Sequence, residues 1–337
     1  MGIDDLITHA TLRRHGLAHH RLPFSQTLTV FPLRPQTAFS QSISPSRRLS
    51  YWYRPHTSTK RLPVLFLHGV GAGLRTYASF LGDFIRKDAA SLSTGENGGQ
   101  TGIIAIEIMS ISMRMTTACP PRSEMLADIL AILRHHGWDE LKIAIAAHSY
   151  GTIIATHLLQ TLITPEENNN NNNNNNNRIG PLLLIDPVTI CIHWGDIPYN
   201  FLYRHPRSAS EWQLQYFAST DMGIAHALTR RFDWSENVLW KDDMKRRDIT
   251  VVLSGRDIIM ESHGVRRYLL EEEDPELRFW MVDSRDYGRD DGGHELELGN
   301  RGLGLLWYDH ANHAEMFDTA HDRAPLVDIL DKYCSFT

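Results

Sequence analysis

Lys142-Ile143-Ala144-Ile145-Ala146-Ala147-His148-Ser149-Tyr150-Gly151-Thr152 decides how this chain is read. Lys142 to Ala146 is a short apolar run of the kind that forms a strand buried on both faces. Thr152 to Leu162 carries the apolar spacing of a helix. Only Ala147-His148-Ser149-Tyr150-Gly151 separates the two. So abrupt a turn strains its central residue and pushes the Ser149 side chain out at the C-terminal end of the strand. It also needs small neighbours, here Ala147 and Gly151, so that strand and helix can approach.

Outward from this turn the same kind of run recurs at Val64 to Leu67, Ile103 to Ile108, Leu182 to Ile185 and Ile249 to Leu253. Together with Ile143 to Ala147 these predict five strands buried on both faces. Arg48 to Tyr53, aromatic and stopped by Pro55, predicts a strand before them, and Leu303 to Tyr308 one after. Helical patterns at Glu124 to His135 and Thr152 to Leu162 fall in between. Alternation of this kind predicts an α/β fold, a mostly parallel, doubly wound sheet flanked by helices, built from residues 48–186 and 249–337.

Several segments break the rhythm. Residues 187–248 span 62 positions, where about 2–6 would make an ordinary connection. Aromatic residues such as Trp194, Phe201, Phe232 and Trp240 are denser there than in the whole chain. The stretch predicts an inserted helical cap with an aromatic underside. Residues 1–47, rich in Pro, Ser and Thr from position 21 onward, predict a loosely structured arm laid on the body. Asn168 to Asn177 is a homopolymer that cannot bury enough apolar surface to offset its ordering entropy, so residues 166–178 are expected to form a disordered surface expansion. Asp283 to Gly302, rich in Gly, Asp and Arg, predicts another mobile excursion.

Composition narrows the class. The 337 residues are 42% hydrophobic and 22% charged, ordinary globular usage. A net charge of −6 argues against a nucleic-acid partner. The cysteines Cys119, Cys191 and Cys334 are far apart with no C-x-x-C, which argues against a disulfide framework or a structural zinc. No apolar run approaches the ~18 residues of a membrane span, and the N-terminus lacks the apolar core of a secretory signal. Leu6 stands where a myristoylation motif needs Ser or Thr. The expectation is a cytoplasmic protein.

The chemistry centres on Ser149. A serine presented at a strand-to-helix turn is the G-x-S-x-G nucleophile elbow, with Ala147 in place of the first Gly. Its hydroxyl is a weak nucleophile until a base takes the proton, and that base must be oriented by a third group. In this architecture acid and base follow in chain order. Asp257, after the strand Thr250 to Leu253 and its Gly255 turn, is the preferred acid; Asp186, ending Leu182-Leu183-Leu184-Ile185, is the alternative. His313 is the preferred base and His310 the alternative, both after the last strand. Oxyanion donors would be the amides of Tyr150 and of Val70 in His68-Gly69-Val70-Gly71. No metal or cofactor is expected, because His310 and His313 have no accompanying H-E-x-x-H or acidic set.

With these residues assembled, residues 48–330 resemble the α/β-hydrolase superfamily. More narrowly, the chain is similar to a largely uncharacterised fungal group of AB hydrolase-1 type. The shared stretches are Leu49-Ser50-Tyr51-Trp52-Tyr53-Arg54-Pro55-His56, the HGVG loop, Ile103 to Ile111, AHSYGT, LLIDPV, Asp196 to Phe201, Trp234 to Trp240, LSGRD and NHAEMFD. The resemblance implies a helical cap between the sixth and seventh strands of that family's sheet. It places nucleophile, acid and base on Ser149, Asp257 and His313.

The expected activity is that of a serine hydrolase, esterase- or lipase-like, on a partly apolar small-molecule acyl substrate. Ser149, rather than an acid, at the elbow argues against epoxide hydrolase or dehalogenase chemistry. A hydrolase-like fold kept as a ligand-binding or scaffold protein is the alternative from a different class. An acyltransferase is a lesser one; its H-x-x-x-x-D pattern at His313 and Asp318 carries no weight in a chain with 18 histidines.

Overall fold

The computed structural model describes residues 2–95, 97–162, 178–245, 247–271, 279–287 and 302–335. Ten strands form one sheet: β1 (Ala18–Arg21), β2 (Ser42–Ile43), β3 (Ser50–Arg54), β4 (Val64–Leu67), β5 (Ile103–Glu107), β6 (Ile143–His148), β7 (Ile179–Ile185), β8 (Ile249–Ser254), β9 (Phe279–Asp283) and β10 (Leu303–Tyr308). Their order is β2-β1-β3-β5-β4-β6-β7-β8-β10-β9. From β5 to β9 every neighbouring pair is parallel, while β3 runs antiparallel to both β5 and β1.

Why the runs become strands of a two-faced sheet is visible in their alternation. Leu65 and Leu67 of β4, Ile104 and Ile106 of β5, and Ile145 and Ala147 of β6 enter one core. Val64, Phe66, Ile103, Ala105, Ala144 and Ala146 enter the other. A strand whose two faces are both buried must be apolar throughout. The longer helices are α1 (Gly2–Arg14), α2 (Ala78–Ser93), α3 (Arg122–His135), α4 (Tyr150–Leu162), α5 (Met222–Arg230), α6 (Ser262–Leu270) and α7 (Ala320–Cys334). Ile129 and Ile132 of α3 and Ile154 and Leu158 of α4 close the first core. Phe80 and Phe84 of α2 and Leu326 and Ile329 of α7 close the second.

The N-terminal segment departs from expectation. Instead of a loosely structured arm, residues 2–14 form α1, and β1 joins the sheet against β3. The β1 sequence Ala-His-His-Arg has no apolar alternation to announce a strand. Side-chain hydrogen bonds hold it instead: His19 to Ser40, His20 to Tyr51 and Arg21 to the Ser40 carbonyl. Farther along, the buried Arg34 guanidinium grips Glu107 at the end of β5 through two hydrogen bonds of 2.9 and 2.7 Å.

Between β7 and β8, the described residues of 187–248 form short helices and helical turns, of which Tyr199–Tyr203 and α5 matter most below. Their aromatic residues mostly face out: Tyr199, Tyr203, Trp212 and Tyr216 are 57–73% exposed, and only Phe201 is buried. The predicted Asn expansion lies outside the described residues apart from Arg178, and so do residues 288–301 of the second excursion. Its start is ordered: Asp283 closes β9 and Ser284–Asp286 forms a turn. Among the described residues no helix is long and apolar enough to cross a membrane.

Candidate active site

Because β4, β6, β7, β8 and β10 are parallel, the loops leaving their C-terminal ends gather at one edge of the sheet, where such folds hold ligands. Ser149 follows β6 directly and precedes α4. Its backbone sits at φ +49°, a left-handed value that side chains other than glycine seldom adopt. The Ser149 amide donates to the Ile185 carbonyl at 2.9 Å, which ties the turn to β7. A Cβ on Gly151 would lie 2.3 Å from the Leu67 carbonyl oxygen, so glycine is required there for α4 to cross β4. Gly69 meets the same limit, since its Cβ would lie 2.7 Å from His148 Nδ1 and 2.9 Å from Ser149 Cβ. The HGVG loop therefore rests directly on the turn that carries the serine.

The structure brings Ser149, His313 and Asp257 into one hydrogen-bonded line. His313 Nε2 lies 3.0 Å from Ser149 Oγ, and Nδ1 lies 2.7 Å from Asp257 Oδ2. Asp257 accepts at Oδ1 from the amides of Ile259 (2.7 Å) and Met260 (3.1 Å), which leaves Oδ2 for the histidine. That arrangement puts the proton of neutral His313 on Nδ1 and leaves Nε2 free to accept from the serine hydroxyl. Burial disfavours the charged imidazole, but the Asp257 and Asp186 carboxylates outweigh it and push His313 up to about 9.

Asp186, at φ +42°, does not contact His313 by a hydrogen bond. Its carboxylate lies 3.9 Å from His313 Nδ1 and accepts from the Ser254 amide (3.0 Å), the Ser254 hydroxyl (3.1 Å) and the Ala314 amide (2.9 Å). Asp186 thus joins the ends of β7 and β8 to the His313 loop. His310 is half exposed and faces Asp322 at 3.6 Å. Between the acid and base loops sits Asn312, whose Oδ1 accepts from the amides of Ile258 (3.2 Å) and His313 (2.7 Å).

On the opposite side of Ser149, His68 is fully buried. Its Nε2 accepts from the Ile108 amide at 3.0 Å, so Nδ1 carries the proton and donates to the Gly69 carbonyl at 2.7 Å. Burial holds this imidazole in its neutral form. Gly71 donates to the Ile111 carbonyl at 3.0 Å. The loop is thereby pinned on both sides of Val70. Tyr77 and Asn312 have no local sequence signature, because each also bonds a residue distant in the chain, His148 and Ile258 respectively.

Ser149 opens onto a pocket lined mainly by apolar side chains. Val70, Tyr150 and Ile153 form its floor, and Ile197, Pro198, Phe201, Leu202, Leu228 and Phe232 of the 187–248 segment form its roof. No charged side chain is among its described lining residues. The roof is mainly aliphatic, with Phe201 and Phe232 its rings, rather than the broad aromatic underside expected from composition.

Two groups have metal-ligating atoms within 4.8 Å of one another among the described residues. His148, Asp186 and His313 are already engaged by Tyr77, Ser254, Ala314 and Asp257. In the second group, His20 and His136 share the Tyr51 hydroxyl at 2.9 and 2.8 Å beside His135.

No protein-family model and no curated protein sequence matches the chain. Solved structures do resemble it in shape. A bacterial membrane phospholipase A described as a virulence factor aligns over 98% of this chain and 90% of its own, at 12% identity and a TM-score of 0.53. The esterase RhEst1 from Rhodococcus sp. ECU1013 aligns over 87% of this chain and 97% of its own, at 13% identity and a TM-score of 0.50. The fold is the α/β-hydrolase fold. At such low identity the likeness extends to the fold and no further.

Proposed function

We propose that this protein is a serine hydrolase that cleaves an ester or related acyl bond whose acyl or alcohol part is apolar. The observation that carries the reading is the Ser149–His313–Asp257 line, at 3.0 and 2.7 Å, opening onto an uncharged pocket. His313 Nε2 takes the Ser149 proton as Oγ attacks the acyl carbonyl. The amides of Tyr150 and Val70 stabilise the oxyanion of the tetrahedral intermediate. His313 returns the proton to the departing alkoxide, leaving an acyl-serine. Water, deprotonated by His313, attacks that ester, and the proton passes back to Ser149 as the acid leaves. Asp257 stays ionised and holds the imidazolium throughout. The fungal α/β-hydrolase grouping belongs to the same reading and rests on the stretches shared with that group.

The test is labelling with a fluorophosphonate probe beside a chain-length series of nitrophenyl esters. Wild type is expected to label and Ser149→Ala to lose both labelling and turnover. Absence of labelling in a folded, monodisperse wild-type sample would overturn the reading in favour of a ligand-binding protein.

A further inference from the structure

Behind Ser149 lies a buried polar chain that the mechanism above does not use. Tyr77 stands immediately before α2, is buried, and reaches all three loops that meet at the serine. Its hydroxyl accepts from the Gly69 amide of the HGVG loop at 3.0 Å. The same oxygen lies 2.8 Å from Nδ1 of His148, the residue before the nucleophile. Its ring packs edge-on against Phe317, in the turn that follows His313, with centroids 4.9 Å apart. Phe66 of β4 supports the other side of the ring at 5.1 Å.

The Asp186 carboxylate favours a proton on His148 Nε2, which leaves Nδ1 as an acceptor. Tyr77 Oη, which accepts from Gly69, then donates its own hydrogen to Nδ1. His148 Nε2 faces Asp186 Oδ2 at 3.8 Å, a charge–dipole contact longer than a hydrogen bond. Asp186 in turn accepts from the amide of Ala314, next to His313. Burial, the dominant influence on His148, lowers its pKa to about 4, which agrees with a neutral ring.

Resting on the hydrolase reading, we propose that Tyr77 is a positioning residue. Its hydroxyl, shared by Gly69 N–H and His148 Nδ1, sets the spacing between the Val70 oxyanion donor and Ser149. The Tyr77–His148–Asp186 chain carries that registration to the His313 loop. Tyr77 touches neither substrate nor the reacting atoms. A donor misplaced by about 1 Å can cost about 100-fold in rate, so the hydroxyl matters without contacting the chemistry.

Tyr77→Phe removes only the hydroxyl and keeps the ring between Phe66 and Phe317. The expected result is a fall of about ten- to 100-fold in kcat and in the fluorophosphonate labelling rate, with KM within about twofold of wild type. His148→Asn, which keeps a polar atom near the Nδ1 position, is expected to retain more activity than His148→Leu. Combining Tyr77→Phe with His148→Leu should cost little beyond the larger single effect. Wild-type kcat and labelling in Tyr77→Phe, or additive losses in the double variant, overturn the proposal while the serine-hydrolase reading stands. If Tyr77→Phe fails to fold, the His148→Asn and His148→Leu pair decides, and equal activity in those two overturns it. A wild-type protein that does not label overturns the functional reading, and this inference with it.

Discussion

At the scale of single residues, Asp257 and Asp186 show how position divides two buried carboxylates between two roles. Both side chains are wholly buried and both lie within 4 Å of His313 Nδ1. Asp257 spends one oxygen on two loop amides and keeps the other for the imidazole. The Asp186 oxygens are taken by Ser254 and Ala314. Asp257→Asn replaces the oxygen that receives Nδ1–H with a group able to donate, and so favours the wrong histidine tautomer. A loss of about 10,000-fold in kcat is expected. His310→Gln should leave turnover within about twofold, because that ring faces Asp322 away from the serine. Steady-state rates on one nitrophenyl ester check both, and a modest loss in Asp257→Asn would remove the acid from the proposed mechanism. That Ser149, Asp257 and His313 come together is legible in the sequence, because each follows an apolar strand at a turn with its own signature. The places of Tyr77 and Asn312 are not, because what distinguishes them is a hydrogen bond formed only once distant loops have met.

Among the elements, the 187–248 segment lines much of the pocket beside the serine, and in the proposed reading it selects what reaches Ser149. Phe201 is buried in the turn Tyr199–Tyr203, and Leu228 projects from α5 into the same pocket. Leu228→Trp adds bulk to the roof without touching Ser149. It is expected to lower kcat/KM for long-chain nitrophenyl esters by about tenfold or more while changing the acetate ester by less than about twofold. A uniform decrease along the series would mean that Leu228 does not bound the acyl site. Elements were readable in proportion to how much of their burial is apolar. β4 to β8 and β10 appear as hydrophobic runs because both faces are covered by helices. β1 is held by histidine and arginine hydrogen bonds, and α1 buries only Thr8, His9 and Leu12, so neither displays the periodicity that sequence reading depends on. The segment between β7 and β8 was visible as an insertion through its length, but its outward-facing rings could not be told from core rings by composition.

Across the whole molecule, buried histidines set opposing demands on pH. His9, His20, His136, His148 and His157 are each lowered to about 4, chiefly by burial. Unfolding returns them to the ordinary value near 6.5, so the unfolded chain binds more protons between those limits. Their contribution to stability is present above about pH 6.5 and is lost as the pH falls toward 4. His313 has the opposite sign. Burial works against its charge, but Asp257 and Asp186 raise it to about 9, so its contribution is complete below about 6.5 and is lost as the pH rises through 9. In the proposed mechanism, deprotonating His313 is also what creates the general base, so kcat/KM should climb over the range in which this stabilisation disappears. The thermal midpoint is therefore expected to peak near neutrality and to fall on both sides, while kcat/KM rises toward pH 9. Replacing His313 with Gln should flatten the alkaline decline and leave the acid decline in place. Thermal scans of both proteins from pH 4 to 10 check this. An unchanged alkaline slope in the variant would show that the His313–Asp257–Asp186 cluster does not link stability to the charge of the base.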